Sequence, residues 1–413
     1  MAPAGSRACL VAAIRSGADA VYFGVGEFNM RSNYRNFTPH EMGGLAEECH
    51  KAGKRAYLAL NTIIHEHELG KIDRILGLAS DAEIDAVICS DLAVIAKASG
   101  LGLPVFLSTQ MSLSNSEAIG YFHSAFGIRR FVLARECSLA QIRAIRRNLL
   151  SKFGEAAGAI EIEVFAHGAM CVSVSGRCFL SENRTGQSAN RGACTQPCRR
   201  EYQLVDDAGN PSFRMGDRYL LSPEDLCTMP FLEKLIDSGV ASLKIEGRAR
   251  TPEYVETVTR AYRRAVDFHF ANRDQPGFHD NFQALKNELM EELSGVFHRG
   301  LSSGFFLGKP VDQWTQSDGN RATKTKRHVG EVVNFYRKVA AAEIRVLNAE
   351  FTLGDELIIQ GPTTGSVRVG VASIQIDRQP VTCARRGSHV AVGVPSPVRA
   401  NDRVFLVVPS QRN

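Results

Sequence analysis

Through its first 270 residues the chain alternates short apolar runs with longer stretches of helical period. The runs are Ala20–Gly24, Arg55–Asn61, Ala86–Ser90, Val105–Thr109, Phe131–Arg135, Ile162–Ala166 and Ser242–Glu246. Amphipathic stretches such as His40–Ala52, Leu69–Ser80, Ser116–Phe126 and Leu139–Leu150 lie between them. Strand followed by helix, over and over, means parallel strands joined by crossovers. Strands that are apolar almost throughout are covered on both faces. Seven such strands are clear, and Met1–Pro3 or Tyr219–Leu221 supplies an eighth. The expected fold class is therefore α/β, a closed (β/α)8 barrel of TIM type. An open doubly wound sheet is the alternative, but Gly24-Val-Gly26-Glu-Phe-Asn29 lacks the third glycine of its phosphate-binding loop.

A barrel of this kind places its chemistry at the C-terminal ends of the strands. Those positions hold Asn61, Asp91, Gln110, Glu136, His167, and Glu246 with Arg248. Asp91 reads more naturally as a helix cap.

After residue 270 the pattern changes. A helix over Asn281–Leu293 leads to the glycine-rich Leu301–Gly308, and Asp312–Arg327 is polar and basic. From Val329 the chain reads as six short strands without helices, a small C-terminal β-barrel. The expected organisation is a barrel domain over 1–310 with a cysteine-rich insertion over 168–220, a linker over 311–328 and a β-barrel over 329–413. Residues 320–413 hold 14 Lys/Arg against 7 Asp/Glu, whereas the first 319 residues are slightly acidic. Such a surface suits a polyanion such as RNA, with Arg321, Lys324, Lys326 and Arg327 meeting phosphates; the plainer reading is a solvated basic face. No apolar run has the length of a membrane span and no export signal is visible, so a cytoplasmic enzyme is expected.

Ten cysteines in such a chain are not expected to form disulfides. Cys9, Cys49, Cys89, Cys137 and Cys383 sit among apolar neighbours as packing residues. Cys171, Cys178, Cys194 and Cys198 are bunched as Cys-x6-Cys-x15-Cys-x3-Cys, with Cys227 following. Four thiolates bind zinc or an iron–sulfur cluster. Only the second pair has the close spacing usual for zinc, so an iron–sulfur cluster, zinc and no metal all stay open on spacing alone. His65-Glu-His67-Glu-Leu69 is one position short of a zinc-protease motif.

The stretch Glu163-Val-Phe-Ala-His-Gly-Ala-Met-Cys171, continuing through Ser175-Gly-Arg-Cys178-Phe-Leu-Ser181, resembles the signature of the collagenase-like U-32 peptidases. Pro3-Ala-Gly5, Gly17-Ala-Asp-Ala-Val-Tyr-Phe-Gly24, Asn190-Arg-Gly-Ala-Cys194-Thr-Gln-Pro-Cys198-Arg199 and Ser242-Leu-Lys-Ile-Glu-Gly-Arg248 match in order. The resemblance runs from residue 3 to about 310, and the tail is similar to the family's C-terminal β-barrel. It implies an oxygen-independent hydroxylase with a four-iron, four-sulfur (4Fe-4S) cluster on Cys171, Cys178, Cys194 and Cys198. Cys227 is then a spare beside the cluster or a substitute for one of the four ligands. The cysteine spacing resembles the branch that helps make 5-hydroxyuridine in tRNA from prephenate. That branch implies tRNA, prephenate or a similar small carboxylate, and an electron donor as partners. A collagenase-like peptidase and a non-catalytic RNA-binding protein are the other readings. On the hydroxylase reading, the rim facing the cluster is the expected pocket. His167 and Glu246 move protons there, and Arg248 or Arg177 pairs with a carboxylate. Asn61, Gln110, Glu136 and Lys244 line the mouth. The competing reading is that Lys244, Glu246 and Arg248 form a structural ion-pair set.

Overall fold

The computed structural model describes residues 1–34, 36–202, 204–205, 207, 211–213, 219, 221–311, 313–315 and 319–411. Seven parallel strands pair in chain order: β1 (Ala2–Ala4), β2 (Ala20–Phe23), β3 (Arg55–Leu60), β4 (Ala86–Cys89), β5 (Val105–Leu107), β6 (Arg130–Val132) and β7 (Glu161–Gly168). An eighth, β8 (Ser242–Ile245), pairs parallel with β7, with a register shift between Lys244 and Ile245. The Met1 amino group donates to Leu243 O at 2.8 Å, and Ile245 N donates to Met1 O at 3.1 Å. These bonds join the last strand to the first, so the parallel sheet closes on itself in the manner of a TIM-type barrel. The extra strand is thus the N-terminal one; of the alternative, Tyr219–Leu221, the middle residue lies outside the described residues.

The strand sequences explain the closure. Alternate residues point to opposite faces. Val21 and Phe23, Leu58 and Leu60, and Val87 and Cys89 pack outward in the large core under the helices. Ala20, Tyr22, Tyr57, Ala86 and Ile88 fill the barrel interior. The surrounding helices are α1 (Arg7–Arg15), α2 (Met42–Lys51), α3 (Leu69–Asp81), α4 (Leu92–Gly100), α5 (Ser116–Phe126) and α6 (Leu139–Phe153). Beyond them come the short α7 (Leu180–Thr185) and α8 (Leu232–Ile236), then α9 (Pro252–Asn272) and α10 (Phe278–Ser294). Their starts are written locally: Ser6, Asn115 and Ser138 accept bonds from the first turns of α1, α5 and α6. Asp91 caps α4 through Ala93 N at 2.9 Å, as expected of it.

The cysteine-rich insertion expected over 168–220 leaves the end of β7. Residues 203, 206, 208–210, 214–218 and 220 of it lie outside the described residues. The chain returns at Asp225–Cys227, which pairs antiparallel with the end of β7 and parallel with Leu301–Ser302.

The C-terminal unit has its own core, from Val329 to Leu406. It is an eight-stranded antiparallel sheet. Its strands are β9 (Lys324–Tyr336), β10 (Ala341–Val346), β11 (Glu356–Gly361), β12 (Gly365–Gly370), β13 (Ile374–Ile376), β14 (Gln379–Val381), β15 (His389–Gly393) and β16 (Arg403–Pro409). The order is β12-β11-β16-β9-β10-β15-β13-β14. Strand β9 begins at Lys324, inside the segment expected to be linker; residues 312 and 316–318 of that segment lie outside the described residues. The sheet sits on α1 and α9. Arg15 Nη1 donates to Thr364 O at 2.7 Å, Lys326 Nζ lies 2.7 Å from Glu253, and Arg368 Nη2 donates to Thr257 Oγ1 at 2.9 Å. Gly365 has φ +72° and a Cβ there would meet Ala12 N at 2.9 Å, so the approach needs glycine.

The basic cluster is not free for phosphates as expected. Arg321 faces Glu224 at 3.7 Å, Lys324 faces Glu356 at 2.9 Å and Lys326 faces Glu253. Of the four, only Arg327 has no acidic partner among the described residues. The sequence count misses this because the partners lie 30 to 100 positions away. Among the described residues, no helix is long and apolar enough to cross a membrane.

Candidate active site at the barrel mouth

The loop after β2, described over residues 24–34 and 36–38, folds over the C-terminal mouth of the barrel. It is held there by polar side chains from other strand ends. Met30 N donates to Asn61 Oδ1 at 3.2 Å, and Arg248 Nη1 donates to Asn29 Oδ1 at 2.9 Å. Arg31 Nη2 donates to Glu246 Oε1 at 2.6 Å. Arg135, at the end of the β6 segment, places Nη2 3.9 Å from Glu246 Oε2 and its guanidinium 4.0 Å over the Phe165 ring. Beneath this loop is a cavity of about 40 Å³, lined by Tyr22, Arg31, Asn61, Gln110, Arg135, Lys244, Glu246 and Arg248 among others.

Each charged group here is set by burial and by its neighbours. Burial raises the Glu246 carboxyl, but Arg31, Arg135 and Arg248 outweigh it and bring it to about 2. Burial lowers Lys244, whose ammonium lies 3.2 Å from Glu163 Oε1 and 4.5 Å over Tyr22. Burial also lowers Arg248. Lys244, Glu246 and Arg248 feel one another's charge, but none is the nearest partner of another. Each has a different partner, respectively Glu163, Arg31 and Asn29. Asn61 Nδ2 donates to Gln110 Oε1 at 3.1 Å, and Gln110 Nε2 donates to Ser175 O at 3.4 Å, so this pair reaches from the mouth to the cysteine segment.

Three residues expected in the pocket are placed elsewhere. His167 is buried between Tyr254 and Tyr262 of α9, with ring centroids 6.0 and 5.7 Å away. Burial, His298 and Arg250 bring its imidazole down to about 3, so it is neutral near pH 7. It does not line the cavity. Glu136 accepts Ser175 N at 2.6 Å and Ser175 Oγ at 3.1 Å, and so anchors the cysteine segment. Arg177 is exposed on a turn closed by Val174.

The four bunched cysteines share one neighbourhood beside this mouth. Burial raises Cys194 and Cys198, and each also feels the charges of Cys171 and Cys178. Leu180 N donates to Cys178 Sγ at 3.3 Å, and Cys178 N donates to Asn190 Oδ1 at 3.1 Å. Among the described residues no three His, Cys, Asp or Glu side chains converge closely enough to hold a single metal ion. Arg191 ties the segment to the barrel through a bidentate pair with Glu68, whose carboxyl is brought to about 2. Cys227 is not a spare beside them. It is buried against Tyr262 and Met290, and burial pushes it up to about 11. A larger cavity of about 490 Å³ opens at the opposite end of the barrel, beside Met1, Asp19 and Arg130. In this architecture the chemistry sits at the C-terminal end instead.

Residues 5–316 match Peptidase family U32. The chain belongs to this family. It is 38% identical over 98% of its length to the "Collagenase" of Porphyromonas gingivalis, covering 96% of that protein. It is 35% identical to the "tRNA hydroxylation protein P1" of Bacillus subtilis, over 88% of this chain and 83% of that one. It is 38% identical to the "23S rRNA 5-hydroxycytidine C2501 synthase" of Escherichia coli, over 76% of this chain and 46% of that one. Relatives within the U32 family thus carry both collagenase and RNA-hydroxylation names.

Sequence reasoning missed Asn29, Arg31 and Arg135. The first two lie on a loop that follows a barrel strand, which is itself a signal. The third was read as the last residue of its strand, with Glu136 taken as the polar end.

Proposed function

We propose that this U32 protein is an RNA hydroxylase that works without oxygen, forming 5-hydroxyuridine in tRNA with prephenate or a similar small carboxylate as co-substrate. One observation carries the reading. A four-thiol loop leaves β7 at the mouth of the barrel and lies against a cavity built from arginines and amides. Relatives with RNA-hydroxylation names support it.

The donor set fits a 4Fe-4S cluster held by Cys171, Cys178, Cys194 and Cys198. The thiols share a neighbourhood, since Cys194 and Cys198 each feel the charges of Cys171 and Cys178. Leu180 N–H is in place to bond a thiolate, and Arg31 and Arg199 supply nearby positive charge. Such a group, when bound, would supply one-electron transfer, primed by an external electron donor; turning a uridine C–H into C–OH withdraws two electrons from the base, so in this reading the carboxylate co-substrate serves as oxidant and oxygen source. The chain's own residues do the rest. Arg31, Arg135 and Arg248 orient an anion, Asn61 and Gln110 hold polar edges of a substrate, and the loop after β2 excludes water. Glu246 stays ionised at neutral pH and serves as a counter-ion.

Collagenase-like proteolysis is the second reading, favoured by the name of the Porphyromonas relative. A cysteine nucleophile needs a lowered pKa. Cys194 and Cys198 are shifted the other way. The test pairs nucleoside analysis of tRNA from cells carrying or lacking the gene with a gelatin-cleavage assay of the purified protein. A hydroxylated uridine that depends on the gene supports hydroxylation; cleavage without such a nucleoside supports proteolysis.

A further inference from the structure

Arg199 directly follows the last of the four bunched cysteines, and its guanidinium draws the two ends of their segment together. Nη2 donates to the carbonyl oxygen of Met170, the residue before Cys171. Nη1 donates to Ser222 Oγ and to Pro223 O, both at 2.8 Å, where the chain comes back to the barrel. One planar fork thus joins the approach to the first thiol, the exit from the fourth and the return segment. A lysine would not do the same, because its ammonium is a point donor on a flexible stem. All three acceptors are neutral oxygens. The carboxylate whose charge Arg199 feels, Asp225, is bonded to Arg299 at 3.3 Å and lies 3.9 Å from Arg250. Three guanidinium groups therefore share the Asp225 carboxylate, which leaves positive charge beside the thiols. Burial and Arg299 lower Arg199, whereas Cys198, Asp225 and Cys171 push it back up.

We propose that Arg199 is a positioning residue for the cluster of the proposed function: its fork holds the Cys171 and Cys198 ends of the segment at their separation, and its charge favours the reduced state. This role rests on that cluster assignment. A cluster held by four thiolates is anionic and gains a further negative charge on reduction. Net charge, hydrogen bonding and solvent exposure set its potential. A half-buried cation beside two of the thiolates stabilises the more negative state more strongly, and so raises the potential. Solvent screens such a charge less than it screens an exposed one. Substitution separates the two contributions. Arg199→Lys keeps the charge and loses the fork, whereas Arg199→Gln loses the charge and most of the fork.

The experiment uses anaerobically purified, iron-quantified full-length protein and two readouts that need no RNA. One is the rate of iron release to a chelator. The other is the midpoint potential, from a redox titration followed by visible absorption and electron paramagnetic resonance. Arg199→Gln should release iron about tenfold faster than wild type, and its potential should fall by about 60 mV, the one-electron equivalent of a tenfold shift. Arg199→Lys should also release iron about tenfold faster, but should titrate within about 20 mV of wild type, a twofold shift. Arg200→Gln removes the exposed charge next along the chain and should match wild type in both readouts. An Arg199→Gln chain that keeps its far-ultraviolet circular dichroism but takes up no iron, while Arg199→Lys does, also supports the proposal. Wild-type release and potential in Arg199→Gln would overturn it. So would shifts of equal size in Arg200→Gln, a potential equally low in Arg199→Lys, or loss of the fold in both Arg199 variants. A wild-type chain without iron would instead contradict the cluster of the proposed function, before any variant is compared.

Discussion

Arg31 Nη2 lies 2.6 Å from Glu246 Oε1, a contact spanning 215 positions of sequence that fastens the loop after β2 across the mouth of the barrel. It brings a cation of the second βα unit onto a carboxylate of the last. It also sets that cation beside the cysteine segment, since Arg31 feels the charge of Cys171. The cavity and the four thiols are therefore neighbours through one side chain.

The first prediction concerns the thiols. Protein prepared without oxygen should contain about four irons per chain, as one cube requires. Replacing any one of Cys171, Cys178, Cys194 or Cys198 with Ala should lower the iron content. Cys227→Ala and Cys383→Ala should not, because Cys227 is packed against Tyr262 and Met290 and Cys383 lies on a strand of the C-terminal unit. Iron analysis with visible absorption decides it. One stoichiometric zinc in a colourless protein would contradict the assignment.

The second concerns Glu68 and Arg191. Their pair fastens the cysteine segment to the start of α3, and Glu68 is almost fully buried. Arg191→Met leaves that carboxylate with the His65 N–H but without its cation, at a cost of about 1–3 kcal/mol. The variant should release iron to a chelator faster than wild type while its far-ultraviolet circular dichroism stays the same. Equal release rates would show that the pair does not anchor the segment.

The third follows from His167. Its folded-state imidazole is lowered from the model-peptide value of about 6.5 to about 3. The unfolded chain therefore binds a proton that the folded chain refuses. The resulting stability is fully present above about pH 6.5 and is lost as pH falls toward 3. Glu246, also brought down to about 2, adds a second loss between its ordinary value near 4.5 and about 2. His167→Phe should flatten the decline of melting temperature between pH 6.5 and 4. A decline identical to wild type would contradict the buried neutral imidazole.

The fourth concerns the seat of the C-terminal unit. Arg368 reaches Thr257 and Glu356, and lies 3.5 Å from Glu256 of α9. Arg368→Met should destabilise the whole chain by about 2–4 kcal/mol, because it leaves buried Glu256 with fewer partners. Melting should remain a single transition. Two separated transitions in wild type would show that the units do not support each other.

The barrel was legible because its signal is local: apolar runs separated by capped amphipathic helices, repeated seven times. The eighth strand was legible only as a choice, since a three-residue strand carries little periodicity. The cysteine set was visible as spacing and as a resemblance. The pocket was half visible. Asn61, Gln110, Lys244, Glu246 and Arg248 do line the mouth, because strand ends point there in any such barrel. His167 obeys the same rule in sequence but turns toward Tyr254 and Tyr262, where α9 offers an aromatic slot that no local pattern announces. Arg31 and Asn29 lie on a long loop whose path depends on partners more than 30 positions distant. The charge of the C-terminal unit was read correctly as a sum and incorrectly as a free surface around Lys324 and Lys326, because ion pairing is a tertiary property.

The central claim is hydroxylation of RNA, and one measurement addresses it directly. Nucleosides from total tRNA and ribosomal RNA of a deletion strain are compared by mass spectrometry with those of the same strain carrying the wild-type gene or the Cys194→Ala gene. The account predicts that one hydroxylated pyrimidine, expected to be 5-hydroxyuridine or a derivative of it in tRNA, disappears on deletion, returns with the wild-type gene and stays absent with Cys194→Ala. Identical nucleoside profiles in all of these strains would contradict it.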